Sequence, residues 1–123
     1  MTRSVPLILG SCLIAAVLAA AACIGAARAQ STSDAVAAGK AIFLDRSKGN
    51  CLACHAVAGN TVASTVGPPL ADIKSKYPNQ QELFDIIWDE TKRNPQTAMP
   101  PFGRNHILTR DEIAKVVAYL NTL

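Results

Sequence analysis

Apolar positions along the 123-residue chain fall into four groups. The first, Leu7 to Ala22, is a nearly unbroken run of Leu, Ile, Val and Ala. The others are spaced: Ala35, Val36, Ala38, Gly39, Ile42 and Phe43; then Leu83, Phe84, Ile86 and Ile87; then Ile113, Val116, Val117 and Leu120. Intervals of three and four residues place each spaced group on one helical face. Ser33 is expected to cap the first of these helices, with Asp34 favourable against its dipole, and the stripe stops near Arg46. Asn79 with Glu82, and Thr109 with Glu112, read as capping boxes for the other two. Pro95 biases Asn94 out of the helical region, so the middle helix ends near Arg93. Gly39 costs helix stability. Close approach of a second helix would account for it; a tolerated surface glycine is the plainer alternative. No strand-like alternation is found, and the expected fold is all-α.

The first group differs because it lacks a period. Arg3 precedes it and Ala27-Arg28-Ala29 follows it, the pattern of a secretory signal peptide cut after Ala29. The expected organisation is a signal peptide over 1–29 and one domain over 30–123, exported to the periplasm, with no membrane span in the mature chain. Two alternatives stay open: an uncleaved anchor, since the apolar run extends with few breaks to Ala27, and lipid attachment at Cys23, which follows Ala20-Ala21-Ala22 without the usual Leu of a lipoprotein box. Cleavage would remove Cys12, Cys23, Met1, Arg3 and Arg28. The remainder keeps two cysteines, one methionine, and ten basic against nine acidic residues. So balanced a charge gives no support to nucleic-acid binding. Six aromatic side chains are few for a core of this size; a large flat apolar cofactor would supply the missing volume.

Candidate chemistry centres on Cys51-Leu52-Ala53-Cys54-His55. Two thiols three residues apart can each add to a vinyl group of one haem, and the adjacent imidazole can bind the iron. A redox dithiol would want a βαβ context and no histidine. A zinc site would need four ligands, and His106 lies too far along the chain for finger spacing. Further on, Gly67-Pro68-Pro69-Leu70 forms an extended corner. The bland reading is a rigid turn; the functional one is that the Pro68 carbonyl accepts the Nδ1 proton of His55 and orients the ring. The sixth iron position would fall to Met99, held between Ala98 and Pro100-Pro101-Phe102-Gly103, where the prolines leave little entropy to lose. His106, in a polar loop, is the competitor, and an open iron is the third case. Trp88 reads as an ordinary core residue.

The order helix, C-x-x-C-H, Gly-Pro-x-Leu, middle helix, methionine loop and closing helix resembles class I c-type cytochromes over residues 30–123. The resemblance implies one all-α domain around a covalently attached haem c, with Cys51, Cys54, His55, Pro68 and Met99 at the cofactor. It also implies that the first and last helices cross at a small residue, which suits Gly39, with Tyr119 nearby. A narrower resemblance, to the SoxX family, is carried by Gly49-Asn50-Cys51-Leu52-Ala53-Cys54-His55-Ala56. It continues through Trp88-Asp89, Arg93-Asn94-Pro95-Gln96-Thr97-Ala98-Met99-Pro100-Pro101-Phe102-Gly103-Arg104, Ile107-Leu108-Thr109, Glu112-Ile113 and Val116-Val117-Ala118-Tyr119-Leu120. It implies a heterodimer with SoxA, which joins thiosulfate to a cysteine of the carrier SoxYZ as an L-cysteine S-thiosulfotransferase. This subunit would have no catalytic residue and would pass electrons to a downstream acceptor. A freely diffusing mono-haem carrier is the alternative, and a gas- or peroxide-reactive haem enzyme the third reading.

Overall fold

In this computed structural model, residues 31–59 and 64–123 are described. The expected signal segment, with its cleavage site, Cys12 and Cys23, lies outside the described residues, as does Asn60. The chain divides into two compact units, Met1–Thr32 and Ser33–Leu123. The second holds every feature of the site. Among the described residues the order is helix α1 (31–44), a 3-10 turn Cys51–Ala53, α2 (Ile73–Lys76), α3 (Gln80–Asp89), a 3-10 turn Glu90–Lys92, and α4 (Arg110–Leu120). No strand forms among the described residues; Val57 and Leu70 meet in one isolated parallel bridge.

Helix α1 is already running at residue 31, so Ser33 lies inside the helix and does not cap it. Neither glycine nor proline interrupts 31–38, and nothing there obliges the helix to begin at Ser33. Its apolar face carries Phe43, 1% exposed, against α4. Gly39 allows the approach: a Cβ there would stand 1.9 Å from the Lys115 carbonyl oxygen and 3.1 Å from Tyr119 Cβ. One turn further on, the rings of Phe43 and Tyr119 meet edge to face at 5.3 Å.

Thr109 and Glu112 close the expected capping box on α4: the Thr109 hydroxyl accepts the Glu112 N–H, and the Glu112 carboxylate accepts the Thr109 N–H. The box expected on α3 does not close. Asn79 caps the helix, but its side chain takes the Gln81 N–H at 3.0 Å, and Glu82 donates its own N–H to the Asn79 carbonyl. The short amide satisfies a first-turn donor without a partner from Glu82. Helix α2 was not expected. It has four residues, opens at Asp72 in the left-handed region (φ 55°) without a side-chain cap, and buries Ile73. Leu83 and Ile87 of α3, with Ile113, Val116, Val117 and Leu120 of α4, form most of the core beside Phe43 and Phe102.

The turn after α1 is tied to α4 by an ion pair between Lys48 and Glu112. That hydrogen bond, with the one from the Thr109 N–H, lowers the Glu112 carboxyl to about 2. A folded value below the ordinary 4.5 stabilises the fold above pH 4.5, and the stabilisation is lost as pH falls towards 2. Glu112→Gln should therefore lower thermal stability at neutral pH, with the gap to wild type closing between these limits. Lys48 is half exposed, so solvent screens the pair and the loss should be small. Thermal melts of the holo-protein across that pH range measure it; a gap that stays constant with pH counts against the linkage.

Candidate cofactor site

The turn that delivers the cysteines is built from Asp45. Its carboxylate accepts the Ser47 N–H and hydroxyl, and its carbonyl accepts the N–H groups of Lys48 and Asn50. Asn50 then takes the left-handed conformation (φ 47°), which Asn tolerates better than most residues. The chain enters the 3-10 turn Cys51–Ala53, and Cys54 and His55 both donate N–H groups to the Cys51 carbonyl. Two sulfurs and one imidazole thereby leave a single tight turn. The two thiols are free of any disulfide. Burial pushes the Cys51 thiol up to about 12. That shift is opposite to what a thioredoxin-like nucleophile needs.

The segment 64–70 folds back over this turn. Ser64 Oγ donates to the Ala53 carbonyl, Gly67 N–H to Cys54 at 2.7 Å, and Leu70 N–H to Ala56 at 2.8 Å. Pro68 is thus placed with its carbonyl oxygen 2.8 Å from His55 Nδ1, a bond in which the ring donates. Nδ1 is occupied, and Nε2 is the nitrogen left for a metal. Gly67 lies against the same ring: a Cβ would be 2.6 Å from His55 Cε1. The sequence showed Gly67 only as part of a corner; a glycine before two prolines is ordinary turn chemistry and gives no sign of a ring packed on it.

Met99 arrives from the opposite part of the chain. Asn94 opens a turn by accepting the Gln96 N–H on its side chain and the Thr97 N–H on its carbonyl; Thr97 Oγ1 then accepts the Met99 N–H. After Pro100 and Pro101, Phe102 is buried, and Gly103 packs so closely on Trp88 that a Cβ would stand 2.1 Å from its Cε3. The Gly103 and Arg104 N–H groups both donate to the Trp88 carbonyl.

Cys51, Cys54, His55, Pro68 and Met99 all line one cavity of about 560 Å³, a size in the usual range for cofactor sites. Its remaining wall is largely apolar: Phe43, Leu70, Ile73, Leu83, Ile87, Phe102, Leu108, Val116 and Leu120. Glu90, Arg93, Asn94, Gln96 and Thr97 form a polar stretch of the lining. His106 is elsewhere, exposed and left-handed (φ 57°), and does not line the cavity. Trp88 is half-buried outside the lining, stacked on Phe84 beneath the Arg110 guanidinium. Among the described residues no three His, Cys, Asp or Glu side chains gather as a metal cage, and no helix is long and apolar enough to cross a membrane. Two sulfurs, an imidazole and a thioether facing one apolar cavity fit a covalently held porphyrin.

The fold and the cavity define an all-α domain built around one large apolar cofactor. Residues 36–123 match the family model described as Cytochrome c, and the chain belongs to that family. It is a c-type cytochrome whose cofactor is a covalently attached haem c. Two curated relatives are each 35% identical. One, described as an uncharacterized lipoprotein of Aquifex aeolicus (strain VF5), aligns over 60% of this chain and 36% of its own length. The other, the cbb3-type cytochrome c oxidase subunit CcoP of Azospirillum sp. (strain B510), aligns over 72% of this chain and 31% of its own. The chain therefore spans about a third of the length of these relatives.

Proposed function

We propose that the chain is a SoxX-type subunit, exported to the periplasm by cleavage after Ala29, which passes electrons from a SoxA-like partner to a downstream acceptor. The observation that carries this reading is the run Asn94-Pro95-Gln96-Thr97-Ala98-Met99-Pro100-Pro101-Phe102-Gly103-Arg104. In the fold these residues form one continuous loop along the cavity, anchored to Trp88 and Asp89 of the same resemblance. Bound haem supplies a site for one electron at a time. Cys51 and Cys54 would hold it through thioethers, and His55, its ring fixed by Pro68, would offer Nε2 to the iron. Met99, on the same cavity, would offer its soft sulfur to the iron and favour the reduced state. The apolar wall would keep water from it. With both cysteines used in attachment, the processed chain has no thiol to carry sulfur, so any coupling of thiosulfate to SoxYZ belongs to the partner.

A freely diffusing carrier that delivers electrons to an oxidase is the second reading, and the likeness to an oxidase subunit favours it. Native purification of a tagged chain from a thiosulfate-oxidising host separates the two. Recovery with a larger haem protein in fixed stoichiometry is expected; a lone monomer would support the carrier.

A further inference from the structure

Met99 lies in a stretch with few ties of its own. Pro100 and Pro101 have no N–H, and the Met99 N–H reaches only as far as Thr97. What fixes the far end of the loop is a buried carboxylate. Asp89, whose side chain is 2% exposed, ends α3 and accepts three donors: Thr91 N–H at 3.2 Å, Thr91 Oγ1–H at 2.5 Å and Arg104 Nη1 at 3.0 Å. The same Arg104 nitrogen also donates to Thr91 Oγ1 at 3.1 Å, and the Arg104 backbone N–H donates to the Trp88 carbonyl. Asp89 and Arg104 thus join the end of α3 to the residue where the methionine loop turns away from the cavity. With Asp89 buried and Arg104 half exposed, the pair gains little stability, since desolvation of the carboxylate offsets much of the attraction, but it is directional and gives the buried carboxylate a charged partner.

We propose that Asp89 and Arg104 are positioning residues for the Met99 sulfur. Their ion pair sets the far end of the 99–104 loop and so determines how firmly the thioether stays on the metal. The inference rests on Met99 being an iron ligand, and it adds that the strength of that ligation is controlled from the C-terminal end of α3, outside the cavity. Neither residue lines the cavity, so each acts through the loop and not on the cofactor.

The test uses holo-protein and two readouts that stability alone would not move. These are the sulfur-to-iron charge-transfer band of the ferric form and the rate at which carbon monoxide binds the ferrous form. Asp89→Asn and Arg104→Met should each weaken the band and speed carbon monoxide binding by about tenfold or more, the usual scale for losing a group that orients a metal ligand. The double variant should add little, because either change alone breaks the same contact. Arg104→Lys, which keeps a charged donor, should restore much of the wild-type behaviour, and it serves as the probe if Asp89→Asn does not mature. Variants that melt earlier but keep the band and the slow carbon monoxide rate would overturn the proposal. A wild type without the band would instead overturn Met99 ligation itself.

Discussion

Replacing Met99 with alanine should turn a cytochrome that resists carbon monoxide into one that binds it rapidly, and should lower its reduction potential. Of the residues lining the cavity, Met99 alone presents a thioether, and the loop that carries it is held from Thr97 on one side and Trp88 and Asp89 on the other. Alanine leaves that framework in place and removes the donor. Loss of a soft ligand that favours the ferrous state should drop the potential by on the order of 0.2 V, a fraction of the ~0.8 V over which axial ligands move haem proteins. Redox titration and carbon monoxide difference spectra read the two effects. His106→Ala should change neither, because that side chain is exposed and outside the cavity. A Met99→Ala protein with wild-type potential would remove the methionine from the metal.

The second large effect is on folding. Gly39→Ala would set a methyl group 1.9 Å from the Lys115 carbonyl oxygen. The obstacle is backbone in the middle of α4, which cannot swing aside like a flexible side chain, so the two helices must separate and pull Phe43 from Tyr119. Overpacking of this kind costs on the order of 3 kcal/mol, which in a domain this small lowers the melting temperature by roughly 10–20 °C. Thermal denaturation of the holo-protein measures it. A loss no greater than that of an exposed helical alanine substitution, Lys40→Ala for example, would mean that α1 and α4 do not cross here.

Helices α3 and α4 were legible because each is written locally, in a cap and a period of apolar residues; at Gly39 the residues left close approach and a surface glycine both open, and the crossing with the last helix came only from the resemblance to class I c-type cytochromes. The contact between His55 and Pro68 was legible for another reason, since a histidine meant for a metal needs something to hold its other nitrogen. The start of α1 was not, because Ser33 has the chemistry of a cap and also that of an acceptable helical residue. Helix α2 was missed because four residues are too few to show a period, and Asp72 opens it through backbone conformation alone. Asp89 and Arg104 gave the least warning. Fifteen positions apart, each reads as a solvated charge, and only the fold shows that one is buried and that the other reaches it.

Trp88, the one tryptophan of the chain, is clamped between Phe84 and Gly103 under Arg110. In a domain with a radius of gyration of only about 12 Å, any indole sits close enough to a porphyrin for its excited state to be drained before it can emit. The native protein should therefore be dark in ultraviolet fluorescence and brighten only as the domain expands on unfolding, giving experimenters a native optical gauge of whether the porphyrin is in place and the fold intact.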